Sequence, residues 1–311
     1  MKVIYGIGQI KRRIQNTVVA IGVFDGMHRG HQHVIAQMVD RAKALGAMSV
    51  VITFFPHPVR VLHPEIQLPY LISLRHRLQL IEELGVDVCL VVHFTKRFSA
   101  LSPEAFVQQY LVSRLGVTEV FVGDDFRFGQ NRSGGLELFI EIAQRYNFHV
   151  NVIDEVYLGR RAIHSRCLRE LIACGKLSQA EKLLGRRCSI LGTVIKGDGR
   201  GKSLGFATAN IQFESDIIPP LGVYIVEVLL ENKSYQGIAN IGRRPSFHQK
   251  NQRVHLEVHI LNFKKNIYGK EVIVEFIKKI RNEKKFSSPP ELVRQIKRDE
   301  QSAQKYFKQL S

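Results

Sequence analysis

The sequence is short of acidic residues: 28 aspartates and glutamates stand against 45 lysines and arginines, a formal charge of +17 over 311 residues. Such an excess suits an anionic partner, whether nucleic acid, nucleotide phosphate or an acidic surface, and does not choose among them. Much of it falls late, in "NFKKNIYGK" and "FIKKIRNEKKF", where a solvated face is the simpler account. Cysteine is scarce as well. Cys89, Cys167, Cys174 and Cys188 form no CxxC pair and have no histidine at finger spacing, which argues against a structural zinc site or a disulfide framework and for reduced, mostly buried thiols. No apolar run approaches the roughly 20 residues that span a bilayer. The start "MKVIYGIGQIKRRIQ" lacks the charged, apolar, small order of a secretory signal, so a cytoplasmic protein is expected. Internal repeats and low-complexity tracts are missing too.

What is present is the composition of a globular protein, 45% hydrophobic and 23% charged, at a length that suits two domains with a core each. Up to about residue 160, β-branched apolar runs alternate with helical segments: "TVVAIGVF", a helix from about His31 to Leu45, "SVVITFF", a helix near Leu74 to Leu84, "VDVCLVVHF", a helical opening at "SPEAFVQQYLVSRLG", "TEVFVGDDF", "GLELFIEIAQRYN" and "HVNVIDEV". Strands buried on both faces and separated by helices predict a Rossmann-like, doubly wound parallel sheet. Such sheets bind ligands beyond the carboxyl ends of their strands. From about residue 188 strands follow one another through short polar turns: "SILGTVIKGDG", "GVYIVEVLL", "YQGIANIG", "VHLEVHILNF" and "EVIVEFIKKI". This predicts an antiparallel sheet closed as a small barrel, with a C-terminal helix from about Glu291 to Lys308. The boundary falls near Leu184 to Arg187, giving domains 1–184 and 185–311.

Two stretches carry chemistry. In "VFDGMHRGHQ", residues 23–32, histidines three apart flank Gly30 at a strand-to-helix turn, which puts both rings on one side. Glycine lets a phosphate approach the backbone, and a helix N-terminus offers unpaired N–H groups and the positive end of its dipole. His28 and His31 are then placed to donate to phosphate oxygens during an in-line displacement. An ordinary loop pair and a zinc site are the other readings, though no HExxH or cysteine cluster supports zinc. In "GDGRGKSLGFATANI", residues 197–211, a glycine-rich turn leads to Thr208 and Asn210, two apart and so on the same side of an extended segment. Their hydroxyl and amide oxygens are hard ligands suited to magnesium carrying ATP, with the N–H groups of Gly199, Gly201 and Gly205 near phosphate. A plain hairpin loop is the alternative. GxxxxGK[ST] does not occur, which argues against a P-loop kinase.

Both halves resemble known enzyme domains. "GVFDGMHRGH" is similar to the GxFDGxHxGH signature of the prokaryotic bifunctional riboflavin kinase/FMN adenylyltransferases, also called FAD synthetases, within the HxGH nucleotidyltransferase superfamily; "FFPHP" (54–58) and "VGDDFRFGQNRSG" (122–134) match further family motifs. The resemblance implies that His28 and His31 bind ATP phosphates and stabilise the transition state, with Gly22, Phe24, Asp25 and Gly30 shaping the loop. It also implies that His57, Asp125, Phe126, Phe128 and Arg132 line the nucleotide and flavin site. "FRFG" read alone is a core aromatic pair beside a turn. The family's second phosphate motif, Ser-Ser-Thr/Ser-x-Ile-Arg, corresponds to "HSRCLR" (164–169). Ser165 and Arg169 are kept, whereas His164 and Arg166 replace small hydroxyl residues and imply weaker adenylyl transfer.

The second half resembles riboflavin kinase through "GRGKSLGFATANI", similar to GRxLGFPTAN, and then "PPLGVYIVEV", "GIANIGRRPSF", "HLEVHILNF" and "IYGKEVIVEFIKKIRNEKKF". By this resemblance Glu257 is the general base that takes a proton from the ribityl 5′-hydroxyl. Seen alone, Glu257 is a carboxylate alternating with apolar residues. Ala207 stands for the family's proline and Ser246 for a common threonine, and neither change removes a ligand. The expectation is an enzyme that makes FMN from riboflavin and ATP and then FAD from FMN and ATP, with Mg2+ for both. The rivals are a kinase with impaired adenylyl transfer and a basic, non-catalytic nucleic-acid-binding or regulatory protein.

Overall fold

The computed structural model describes residues 1–159, 161–197, 205–243 and 254–309. The described chain divides into two compact units, 1–69 with 74–165 and 70–73 with 166–311.

The first unit is built on six parallel strands: β1 (Lys2–Tyr5), β2 (Thr17–Ile21), β3 (Met48–Phe55), β4 (Val88–His93), β5 (Val117–Gly123) and β6 (His149–Ile153), ordered β1-β4-β3-β2-β5-β6. β2 is buried at all five positions, as expected of a central strand covered on both faces. From β2 the chain winds to β3 and β4 on one side and later to β5 and β6 on the other. The order therefore reverses between β2 and β5, the kind of switch point where such sheets open a crevice. The crossover helices Arg29–Ala44, Leu74–Glu83 and Leu136–Arg145 fall where periodicity predicts them. The segment from Pro103 continues as a π-helix over Val107–Val112. β1 escapes the sequence pattern because only Ile4 in it is buried. The hairpin of β7 (Tyr157–Leu158) and β8 (Arg161–Ala162) follows β6.

The second unit is a closed antiparallel barrel of β9 (Cys188–Ile195), β10 (Ala209–Phe213), β11 (Gly222–Leu230), β12 (Lys233–Arg243), β13 (Val254–Ile260) and β14 (Glu271–Arg281), ordered β10-β13-β12-β11-β14-β9. Closure leaves no free edge. β10, which closes it, has only Ile211 buried and carries little apolar signal. The helix Leu177–Leu184 packs on β9 and β14. The C-terminal helix Pro289–Lys308 lays Ala303 and Phe307 on Val223, Ile225, Ile238 and Leu261. A fork from Arg281 pins it: Nε donates to both carboxylate oxygens of Asp299 at 3.1 and 3.0 Å, and Nη2 to Oδ2 at 2.9 Å. All four cysteines are free. Burial pushes the Cys89 and Cys188 thiols up to about 12, whereas Cys167 is half-buried and Cys174 exposed.

Candidate active sites

The first site lies at the carboxyl ends of β2, β3 and β5. β2 ends at Ile21, and the chain turns sharply through Phe24, Gly26 and Met27, all at positive φ (54°, 87° and 45°). Two of these three are not glycine, so the turn holds strain that its surroundings must maintain. A Cβ at Gly22 would lie 2.8 Å from the Phe24 ring; the bare backbone lets that ring fold under the loop, where Phe24 is buried. Asp25 is buried beside it, and its carbonyl accepts from Ser165 Oγ at 2.8 Å. Gln32 Nε2 donates to the Met27 carbonyl at 2.7 Å.

His28 caps the helix Arg29–Ala44: the backbone N–H of His31 donates to His28 Nδ1 at 3.4 Å. With Nδ1 accepting, the neutral ring carries its proton on Nε2 and can donate there. The two imidazoles stack at 3.6 Å and 20°, and Phe24 meets His31 edge-on at 5.4 Å. A Cβ on Gly30 would press the His28 ring at 3.2 Å, so glycine here makes the stack possible. The His31 ring is held well below the usual histidine range, first by loss of hydration and then by the charges of His28 and Arg77. It is a neutral donor at a helix N-terminus, a setting suited to developing negative charge on phosphate.

His57 caps the short helix Pro58–Leu62 after β3, its Nδ1 accepting from the Val59 N–H at 3.1 Å. After β5, Asp125 and Arg132 are exposed and Phe126 is half-buried. Phe126 stacks on Phe128 at 5.3 Å, while Phe128 sits in the core against Phe106 and Phe139 at 5.8 and 4.9 Å. The core-pair reading of "FRFG" thus describes Phe128. His164 lies 3.5 Å from Glu155. In the second unit Arg166 extends along its helix to Glu170 at 3.3 Å with its side chain 89% exposed. Ser165 begins the helix Ser165–Ala173, which also holds Arg169.

In the barrel, register lines up the second site. Asn210 on β10 pairs with Glu257 on β13, and Glu257 pairs on its other side with Asn240 on β12. The three share one face of the sheet and are half-buried. Thr208 stands just before β10. A Cβ at Gly197 would overlap the Asn210 amide, so the bare backbone there gives that amide its seat. His259 Nδ1 lies 2.8 Å from the Ala207 carbonyl and Phe206 meets the His259 ring edge-on at 5.7 Å, which anchors the segment where the family's proline is missing. Gly205 has φ +89°, and among the described residues nothing lies within 4 Å of where its Cβ would be. Gly199, Gly201 and Ser246 lie outside the described residues. Among the described residues no three histidines, cysteines or carboxylates gather as a metal cage. The donors at 208 and 210 are neutral oxygens, which fit a magnesium ion arriving with the triphosphate's charge rather than a resident one.

Sequence reasoning missed Arg77, Asn240 and His259. Arg77 was hidden because a charged residue in an amphipathic helix reads as solvated, and Asn240 because its meaning lies in cross-strand register.

Comparison with known proteins agrees with both halves. A family model described as FAD synthetase matches residues 10–167, and one described as riboflavin kinase matches 184–307. The chain is 38% identical to a bifunctional riboflavin kinase/FMN adenylyltransferase of Buchnera aphidicola, covering 99% of each chain. It is 38% identical to the protein so described in Escherichia coli K12, covering 99% of this chain and 98% of that one. A solved structure described as a macrolide-efflux protein of Streptococcus pneumoniae superposes with a TM-score of 0.82 at 28% identity, over 98% of this chain and 99% of that one. Efflux is said of that protein; among the described residues here no helix is long and apolar enough to cross a membrane. With a histidine loop at the switch point of a parallel sheet, a Thr-x-Asn and glutamate row in a closed barrel, and full-length relatives at this identity, the chain belongs to the bifunctional riboflavin kinase/FMN adenylyltransferase family.

Proposed function

We propose that the barrel makes FMN through Glu257 and that the parallel-sheet unit makes FAD through His28 and His31. The enzyme is a transferase that phosphorylates riboflavin and then adenylylates FMN, with ATP as donor in both steps. The observation that carries the residue assignment is the register pairing Asn210 with Glu257, which sets a hard oxygen donor beside a carboxylate on one face. In the kinase step Glu257 accepts the proton of the ribityl 5′-hydroxyl as that oxygen bonds to the γ-phosphorus, and the bond to the β-phosphate oxygen breaks to release ADP. Thr208 and Asn210 are the residues that would hold magnesium, which when bound neutralises phosphate charge. Gly205 belongs on the phosphate side in this reading; Gly199 and Gly201, carried by the same motif, lie outside the described residues.

In the second step a phosphate oxygen of FMN attacks the α-phosphorus of ATP, and pyrophosphate leaves. His28 Nε2–H and His31 donate to the phosphate oxygens as charge builds, with Ser165 beside the loop; Arg169 is assigned to phosphate by the family motif alone. Gly22, Phe24, Asp25 and Gly30 hold the loop in shape. Phe126 offers its face to the flavin, supported from below by Phe128, and His57, Asp125 and Arg132 border the pocket. The functional division is 1–184 for adenylyl transfer and 185–311 for kinase.

A kinase with reduced adenylyl transfer is the second reading, favoured by His164 and Arg166. The exposure of Arg166 and its pairing with Glu170 weigh against a crowded phosphate loop. The net charge that suggested nucleic acid is compatible with an enzyme that binds the anion ATP in two reactions. Product analysis with riboflavin, ATP and magnesium separates the readings: FAD supports both activities, FMN alone the reduced enzyme, and no product overturns the assignment.

A further inference from the structure

We infer that Arg77 is the positioning residue of adenylyl transfer, a buried guanidinium that binds the histidine loop to the end of the neighbouring strand. The inference rests on the assignment of that loop to FMN adenylylation. Arg77 comes from the helix Leu74–Glu83 and is 0% exposed, first among the largest fully buried side chains. Its Nη1 donates to the Val23 carbonyl at 2.9 Å, to Thr53 Oγ1 at 3.2 Å and to the Phe54 carbonyl at 3.2 Å. Thr53 Oγ1 donates in turn to the Val23 carbonyl at 2.8 Å. Nη2 lies 4.0 Å from Asp25 Oδ1. One side chain thus joins the loop after β2, at Val23 and Asp25, to the end of β3, at Thr53 and Phe54.

Burying a guanidinium is costly unless it is paired and hydrogen-bonded, and an apolar side chain would fill such a volume without that cost. What the charge does here is local. The loop it grips holds Phe24, Gly26 and Met27 at positive φ, a conformation that relaxes unless it is over-determined. Ser165 and Gln32 hold it from the side of the following elements, and Arg77 holds it from the sheet. All three bonds come from Nη1, which lies one bond farther from the backbone than a lysine ammonium and is aimed by the rigid plane of the guanidinium, so lysine falls short of these acceptors.

The charge also reaches the histidines. The groups acting on His31 are His28, stacked on it, and Arg77 beneath the loop, while the carboxylate of Asp25 faces Arg77. Arg77 therefore favours the neutral ring of His31, which keeps one N–H to donate. It touches the loop's backbone and acts through it.

The test uses the full chain with Arg77→Lys and Arg77→Met, reading FMN adenylylation, riboflavin phosphorylation and the histidine titrations by NMR. In Arg77→Met, kcat for FAD formation should fall by on the order of 100-fold, the loss that a misplaced catalytic group produces. Riboflavin phosphorylation should stay within about twofold, and His31 should titrate at higher pH than in the wild type. Arg77→Lys should keep the low His31 titration and lose much of the rate. Wild-type FAD formation in Arg77→Lys would overturn the inference even if Arg77→Met fails to fold, and so would an unmoved His31 titration in a folded Arg77→Met. If the wild type itself forms no FAD, the assignment of the loop fails, while the histidine titration still decides whether Arg77 governs it.

Discussion

Asn210 and Glu257 are direct cross-strand partners between β10 and β13. A residue suited to hold the metal of ATP and the carboxylate suited to take the attacking hydroxyl's proton therefore share one rung of the barrel. Because neighbouring strands place such pairs about 5 Å apart at Cβ, the spacing of these two side chains is fixed by backbone hydrogen bonding between strands.

Replacing Glu257 by Gln keeps the shape of that rung and removes the base proposed above. FMN formation should fall by about 100-fold or more, the upper part of what proton transfer contributes, while adenylylation of supplied FMN is spared. Near-normal phosphorylation in the variant would remove Glu257 from the mechanism.

Gly197 tests the same rung from the other side. A methyl group there overlaps the Asn210 amide, so Gly197→Ala should turn that amide away and raise the magnesium and ATP concentrations needed for phosphorylation. Adenylylation measured on the same preparation should not change. An unaltered ATP requirement would show that Asn210 does not serve the metal.

His28→Ala with His31→Ala should abolish FAD formation and leave riboflavin phosphorylation intact, since both rings belong to the parallel-sheet unit. Stability should also respond to pH. Because burial and the neighbouring charges hold the folded pKa of His31 well below the ordinary histidine value of 6.5, the folded protein resists protonation that the unfolded chain accepts. Its contribution is present above about 6.5 and is lost as pH falls from there towards the folded value. Chemical denaturation of the wild type between pH 7.5 and about 5 should show that loss, and the His31→Ala variant should show less of it.

His164→Ser with Arg166→Thr restores the small hydroxyls of the second phosphate motif. At saturating FMN and magnesium, an ATP titration of adenylylation should show a lower ATP requirement than in the wild type. The exposed, Glu170-paired position of Arg166 means that little packing is lost. A clear loss of activity would instead show that Arg166 grips the triphosphate.

Arg187 serves two carboxylates, Glu227 at 2.6 Å and Glu275 at 3.6 Å, which are themselves cross-strand partners. Burial raises the pKa of Glu275 and the charge of Glu227 adds to that, while Arg187 opposes both. Without the arginine the pair repels when ionised. Arg187→Met should therefore destabilise the protein most near pH 8 and progressively less as pH falls through the carboxylate range. A loss independent of pH would mean that Arg187 acts by packing alone.

Much of this protein was legible before folding. Alternation of apolar runs with amphipathic helices determined the parallel sheet, because strands buried on both faces admit few polar positions. Runs of strands with polar turns determined the barrel, and His28, His31, Thr208 and Asn210 stood out by local spacing, whereas Glu257 stood out only through the family resemblance. Tertiary structure alone decided which residues support them. Arg77 lies 54 positions after the Val23 carbonyl that it grips, and its burial reverses what its charge predicts from sequence. Phe128 became core through packing against Phe106 and Phe139, while Phe126, stacked on it, stays half-buried. The Asn210–Glu257–Asn240 row arises from strand register, a long-range hydrogen-bonding choice that local patterns do not encode.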